Sequence, residues 1–194
     1  MENPIDSRLQ KSTLRRSLLK TRQGLSPEVW QVRSQMLCDR LQASELFTRA
    51  QTILAYCSLR QEPDLSSLWR LPKTWGLPRC VGPSLQWHHW SMEGSLPLQR
   101  GAFGIQEPDP ASPQLAADQV DLILVPCVAC DRRGYRLGYG GGFYDRLLSS
   151  APWQGKPAIG ILFEFACLPE LPIDPWDQPL QAICTESQLF FCNP

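Results

Sequence analysis

The chain has 194 residues, 43% of them hydrophobic and 20% charged, with a formal net charge of zero. That is enough apolar side chain for a real core, and it excludes wholesale disorder. The charge balance gives no sign of a nucleic-acid or anionic-membrane partner, although residues 8–22 carry many basic side chains and no acidic ones.

No window reaches the ~20 apolar residues of a membrane span. The opening MENPIDSRLQKST has no apolar leader core, so a cytoplasmic protein is expected. The eight cysteines, Cys38, Cys57, Cys80, Cys127, Cys130, Cys167, Cys184 and Cys192, are scattered, several inside apolar runs. In that compartment they read as reduced, small core residues.

The first segment after Asp6 and Ser7 predicts a helix with Leu14 and Leu18 on one face and Gly24 as a stop. Ser26-Pro27-Glu28 restarts a helix, with serine as N-cap and proline at the first helical position. Val29, Val32, Met36, Leu37 and Leu41 give that helix its expected apolar stripe. TILAYCSL, residues 52–59, predicts a buried strand, and 64–71 a short helix. RCVGPSL (79–85) and LQWHHWS (85–91) each predict a short strand. Residues 93–119, rich in Gly and Pro, predict a long irregular connection.

VDLILVP, residues 120–126, is the clearest buried strand, followed by a Gly-rich loop and a short helix over 143–149. PAIGILFEF (157–165) predicts another strand and LQAICTE (180–186) the last. Continuous apolar strands alternating with helices predict one domain over residues 1–194, an α/β three-layer sandwich with a mostly parallel, Rossmann-like central sheet.

The loop between strand and helix is the most informative stretch. In an open α/β sheet, ligands bind beyond the carboxyl ends of the strands. Gly138, Gly140, Gly141 and Gly142 lack Cβ atoms, so their N–H groups can curl round an anion. No Gly-Lys-Ser/Thr ends the loop, so it is not a Walker A sequence. Phe143 stands where a dinucleotide fingerprint needs its third glycine. Glycines alone are equally compatible with a ligand-free tight turn. Arg136 and Arg146 bracket the loop as candidate phosphate donors, and Asp145 is a candidate oxygen ligand for a hard cation.

Arg136-Leu137-Gly138-Tyr139-Gly140-Gly141-Gly142-Phe143-Tyr144-Asp145-Arg146 resembles the signature of the 5-formyltetrahydrofolate cyclo-ligase family. Lys11-Ser12-Thr13-Leu14-Arg15 resembles the family's N-terminal phosphate-binding segment. Ser58 to Asp64 resembles the segment that supplies a folate-binding glutamate, here Glu62. Asp177, with Thr185-Glu186 after it, resembles the C-terminal motif. Leu65, Phe143 and Trp176 depart from the family pattern.

The resemblance implies ATP-dependent cyclisation of 5-formyltetrahydrofolate to 5,10-methenyltetrahydrofolate, with Mg2+ as cofactor. It assigns ATP to Lys11, Arg15, Arg136, Leu137, Gly138, Tyr139, Gly140, Gly141, Gly142, Phe143 and Tyr144. Tyr144 and Arg136 are the implied catalytic residues, Glu62 the folate acceptor, and Asp145 and Asp177 the Mg2+ ligands. A monomer acting on these two small molecules, with no nucleic acid or membrane partner, is expected.

Other readings remain open beside this one. Lys11 and Arg15, four apart, form a solvated basic face if no anion joins them, and Glu62 is otherwise a solvated loop carboxylate. Cys127 and Cys130 form a lone pair without the second pair that a structural zinc needs. His88 and His89, adjacent on a strand, face opposite ways and make a poor metal pair. The departures at Leu65 and Trp176 motivate one alternative, a folate- or nucleotide-binding regulator without catalysis; a second is a ligase for another formylated pterin-like substrate that keeps the same ATP loop.

Overall fold

A computed structural model describes residues 4–192. In chain order the helices and strands are α1 (Pro4–Gln23), α2 (Pro27–Gln42), α3 (Glu45–Arg49), β1 (Thr52–Leu54), β2 (Thr74–Val81), β3 (Ser84–Trp90), β4 (Gln99–Arg100), β5 (Gln106–Glu107), β6 (Leu122–Pro126), β7 (Ala129–Asp131), β8 (Arg136–Leu137), α4 (Phe143–Ser149), β9 (Ala158–Ile161), β10 (Cys167–Leu168), β11 (Ala182–Cys184) and β12 (Leu189–Phe191).

Seven strands form the central sheet in the order β12-β11-β9-β6-β1-β2-β3. The five from β11 to β2 run parallel, and β12 and β3 close the two edges antiparallel. Side chains alternate between faces, so both faces of a covered strand must be apolar. In β6, Leu122 and Leu124 enter a cluster with Leu37, Leu41 and Phe47 of α2 and α3. Ile123 and Val125 point the other way, to Leu147 and Leu148 of α4. Helices on both faces of a mostly parallel sheet make the expected three-layer α/β sandwich. Asp121 aligns its start: Oδ2 accepts from the backbone N–H of Gln51 at 2.8 Å and of Thr52 at 2.9 Å, registering β1 against β6. Those bonds hold the Asp121 carboxyl below its usual range despite slight burial.

Three expectations are corrected. The buried face of α2 is Ser34, Leu37, Cys38 and Leu41, whereas Val29, Val32 and Met36 are exposed. The sequence is apolar on two adjacent stripes, and periodicity alone cannot say which one meets the sheet. Residues 79–85 are not one strand but cross a hairpin turn: Gly82, at φ +56°, and Pro83 join β2 to β3, with Val81 opposite Ser84. The connection 93–119 contains a small ladder, β4 with β5. In addition, β12 had no counterpart among the predicted strands. Residues 64–71 hold a short 3-10 helix, Ser66–Arg70. All eight cysteines are free, and Cys127 and Cys130 pack beneath Gly160. No described helix is long and apolar enough to cross a membrane.

The two stripes of α2 can be told apart by stability. Leu37→Ala is expected to cost about 2–5 kcal/mol, and Met36→Ala to stay within about 0.5 kcal/mol of the wild type. Urea unfolding measures both. A larger loss for Met36→Ala would mean that α2 lies on the sheet by its other stripe.

Candidate active site

Lys11, Arg15, Leu18 and Arg22 are spaced i, i+4, i+7 and i+11, so they share one face of α1. Leu18 anchors that face in the core. The three cations reach three different loops. Lys11 Nζ donates to Asp174 Oδ2 at 2.6 Å and to Asp177 Oδ2 at 2.7 Å. Burial works against its ammonium, but the two carboxylates outweigh burial and raise its pKa. Arg15 Nε donates to the carbonyl of Gly138 at 2.7 Å. Burial lowers the Arg15 pKa, and no carboxylate lies within ion-pair distance of it among the described residues. Arg22 Nε donates to the carbonyl of Arg60 at 3.0 Å, and its Nη2 to the hydroxyl of Tyr139.

The glycine-rich loop leaves β8 and enters α4. Gly142 is the N-cap of α4 in the left-handed conformation, φ +65°, and Gly140 sits at φ +98°. A Cβ on Gly142 would meet Arg146 Nη1 at 2.8 Å, and one on Gly141 the Phe143 ring at 2.9 Å. Gly138 faces open space, and a Cβ on Gly140 would approach Arg15 Nη2 at 3.7 Å. Arg15 thus lies against the concave backbone of the loop. Arg146 does not: it donates to the carbonyls of Gly141 and Pro83, each at 2.8 Å, and its charge lies 5.2 Å from the Phe143 ring centre. Its guanidinium ties the loop to the β2–β3 turn. Arg136, its side chain nearly buried, pairs with Asp145 and donates to the carbonyl of Gln178. Leu137 is buried against α1. Tyr144 is half-buried and packs on Trp87, ring centres 6.5 Å apart. Burial, then the nearby Glu62 charge, push its phenol up, so it stays a neutral donor.

Glu62 is 3% exposed. Its Oε2 accepts from the N–H of Leu59 at 3.0 Å, and its carbonyl accepts from Trp30 Nε1 and Ser58 Oγ, both at 2.8 Å. The turn before it places Arg60 at φ 49° and Gln61 at φ 56°, a left-handed pair without glycine. Such residues cost about 1–3 kcal/mol each and persist only where the surroundings fix them. Arg22 Nη2 lies 4.0 Å from Glu62 Oε1. Burial raises the Glu62 pKa, with Arg22 opposing. Tyr139, from the glycine loop, places its ring against both Arg22 and Arg60, 5.7 and 5.8 Å from their guanidinium carbons. Its side chain therefore belongs to the Glu62 end, while its backbone stays in the loop.

Both proposed metal ligands already hold a cation of the chain, Asp145 that of Arg136 and Asp177 that of Lys11. One oxygen of each, Oδ2 of Asp145 and Oδ1 of Asp177, makes no bond among the described residues. Two free carboxylate oxygens suit a cation that keeps most of its waters. No group of three or more metal-ligating side chains occurs among the described residues.

A chain-length comparison decides the family. The model of the 5-formyltetrahydrofolate cyclo-ligase family matches residues 7–186. The chain belongs to the 5-formyltetrahydrofolate cyclo-ligase family. It is 30% identical over 178 residues to the Escherichia coli 5-formyltetrahydrofolate cyclo-ligase, covering 87% of this chain and 96% of that one. It is 32% identical over 188 residues to the Mycolicibacterium smegmatis cyclo-ligase, covering 90% and 93%. Its fold resembles that of Aquifex aeolicus 5,10-methenyltetrahydrofolate synthetase with a TM-score of 0.83 and 32% identity, covering 95% and 93%.

Within this cyclo-ligase frame, Leu65 is a core residue, 1% exposed, and Trp176 is 60% exposed beside Asp177. Arg22, Arg60 and Asp174 join the site without being among the residues that the sequence motifs mark. Arg22 had a readable signal, its i+7 spacing from Arg15. Arg60 and Asp174 had none, because loops bring them in.

The loop conformation is open to test. Gly142→Ala is expected to cost about 1–2 kcal/mol, because a Cβ is forced into the left-handed region. Gly138→Ala, where a Cβ meets nothing, is expected within about 0.5 kcal/mol of the wild type. Thermal unfolding checks the pair, and equal costs would remove the strain argument.

Proposed function

We propose that the chain converts 5-formyltetrahydrofolate to 5,10-methenyltetrahydrofolate while ATP becomes ADP and phosphate. The observation that carries this reading is Arg15, a part-buried cation without a carboxylate partner among the described residues, held against a glycine loop whose tyrosine reaches Arg22, which lies beside the buried carboxylate Glu62. A phosphate chain supplies the anion that Arg15 lacks, and a pterin supplies N–H donors for Glu62.

An N-formyl carbon is amide-like and a poor electrophile, and its oxygen is a bad leaving group. Transfer of the γ-phosphoryl group to that oxygen releases ADP and gives an iminium phosphate. Nitrogen 10 of the folate then attacks the carbon and loses its proton, and phosphate departs with the former formyl oxygen. Such transfer is catalysed by positioning and charge neutralisation, so no covalent enzyme intermediate is needed. Lys11, Arg15, Arg136 and the backbone from Leu137 to Tyr144 hold the ATP. The neutral phenol of Tyr144 donates towards the formyl oxygen and orients it. Asp145 and Asp177 would hold Mg2+ through their free oxygens and intervening water. That ion supplies charge neutralisation of the phosphates.

Purified protein with 5-formyltetrahydrofolate, ATP and magnesium is expected to develop the near-ultraviolet band of the methenyl product only when ATP is present. A flat trace from folded, ATP-binding protein would sink the reading. Arg15→Ala is expected to raise the KM for ATP about tenfold or more with folding intact, since one charge-assisted bond is worth about 1.5–3 kcal/mol. Arg136→Ala is expected to impair ATP use and also to loosen α4, because Asp145 loses its partner.

Glu62 gives the pH dependence. It accepts folate donors only when ionised, and burial raises its pKa. Folate affinity should therefore be full above that raised value and fall as pH drops through it, starting at a higher pH than an exposed glutamate would give. Calorimetry from alkaline to mildly acidic pH measures this. Glu62→Gln should flatten the profile and weaken binding, and an unchanged profile in that variant would exclude Glu62.

A further inference from the structure

Buried charged donors almost always have acceptors. Arg22 is 4% exposed, and its Nη1 has no hydrogen-bond partner among the described residues. The rest of the guanidinium is used: Nε on the Arg60 carbonyl, Nη2 on the Tyr139 hydroxyl, with Glu62 Oε1 4.0 Å from Nη2. The group is therefore fixed in place, with one donor nitrogen left over on a guanidinium that lies beside the carboxylate.

Tyr139, which accepts from Nη2 and has its ring centre 5.7 Å from the carbon of the same guanidinium, is movable. Of Arg22, Glu62 and Tyr139, only Tyr139 is exposed, at 39%. It is flanked by Gly138, where a Cβ would meet nothing, and by Gly140 at φ +98°. A side chain between two such glycines can swing with little steric opposition.

The ligand chemistry follows from the pair. One edge of a pterin presents, in order, an amino group, a ring N–H and a carbonyl oxygen: donor, donor, acceptor. A buried carboxylate takes the two donors. It leaves the carbonyl oxygen unmatched unless a donor stands beside it, and an unmatched acceptor in a dry site is costly. We propose that Arg22 is a specificity residue of the folate site, its Nη1 donating to the pterin carbonyl oxygen next to Glu62, once Tyr139 has swung aside on its glycine pivot. This rests on the reading of Glu62 as the pterin acceptor. The other role open to Arg22, neutralising Glu62 from behind, gives no preference for the ligand oxygen.

The test uses two ligands, 5-formyltetrahydrofolate and its 4-thio analogue, in which sulfur replaces the ring carbonyl oxygen. Sulfur accepts hydrogen bonds poorly, while both N–H donors for Glu62 remain. Calorimetry without ATP gives the ratio of the two Kd values. Wild-type protein is expected to favour the oxygen ligand by about tenfold. Arg22→Gln should reduce the preference to about twofold or less. Glu62→Gln should weaken both ligands and keep the ratio. A folded Arg22→Gln protein with the wild-type ratio overturns the proposal. So does wild-type protein that binds both ligands alike, a measurement that needs no variant and stands even if Arg22→Gln fails to fold. A Glu62→Gln protein that binds both ligands as tightly as the wild type instead overturns the reading of Glu62.

Discussion

The docking of one basic helix face across the carboxyl edge of the sheet is the constraint on which the site depends. α1 adds no strand and little to the two main core clusters. Its Leu14, Leu18 and Leu19 seat it on the small third cluster around Val128, Leu137 and Leu171. From that seat Lys11 holds the 174–177 loop, Arg15 the glycine loop and Arg22 the 58–62 turn. Those loops are far apart in sequence, and a helix is the rigid element that sets their relative positions. Exposed ion pairs would do this poorly, being worth about 0–1 kcal/mol each. Lys11 with Asp174 and Asp177, and Arg22 with Glu62, are largely removed from water, so losing one partner would strand a charge.

The cations divide by whether the chain already satisfies them. Arg136, Arg146 and Lys11 are engaged by carboxylates or carbonyls of the protein, and they act first as ties. Among the described residues Arg15 has only a carbonyl, and Arg22, beside Glu62, keeps an unused nitrogen. A site that binds an anion needs cations of the Arg15 kind, fixed by neutral partners so that their charge is not cancelled. Fixing them in advance also means that little reorganisation is needed when charge develops during phosphoryl transfer. This is why the carbonyl of Gly138 matters as much as the acidic residues: it orients the Arg15 guanidinium without neutralising it.

The sequence was most readable where local rules and the tertiary structure agree. The boundaries of α4, the Ser26 cap of α2 and the buried run of β6 all follow from caps, glycines and apolar pattern. It was least readable where tertiary contacts choose between equal local options. The helix α2 offered two apolar stripes, and only the sheet selects Leu37 and Leu41. β12 is a three-residue edge strand, defined by its pairing with β11 rather than by its own residues. In the site, the glycine loop could be read because it is contiguous. The Arg22, Arg60 and Tyr139 group could not, because it is assembled from α1, a left-handed turn and the loop. Arg146 stood beside the glycines in sequence, yet the folded chain turns it onto loop carbonyls.

Tyr139 shows why the two ends of the site cannot be independent. Its backbone belongs to the loop that holds phosphate in the proposed reaction, and its ring lies against two arginines, of which Arg22 stands beside Glu62. The proposed chemistry requires the γ-phosphate and the formyl oxygen to meet within bonding range, so each substrate must be placed relative to the other and not only relative to the protein. If the ring moves to admit a pterin, the backbone that turns is that of Gly138 and Gly140, the same residues that Arg15 lies against. Any free energy that folate spends in displacing Tyr139 is therefore felt at the phosphate loop, and linkage requires the same coupling in reverse for ATP. A loop of four glycines round one tyrosine is suited to this, since the glycines let the backbone move and the tyrosine gives the movement a partner at the far end.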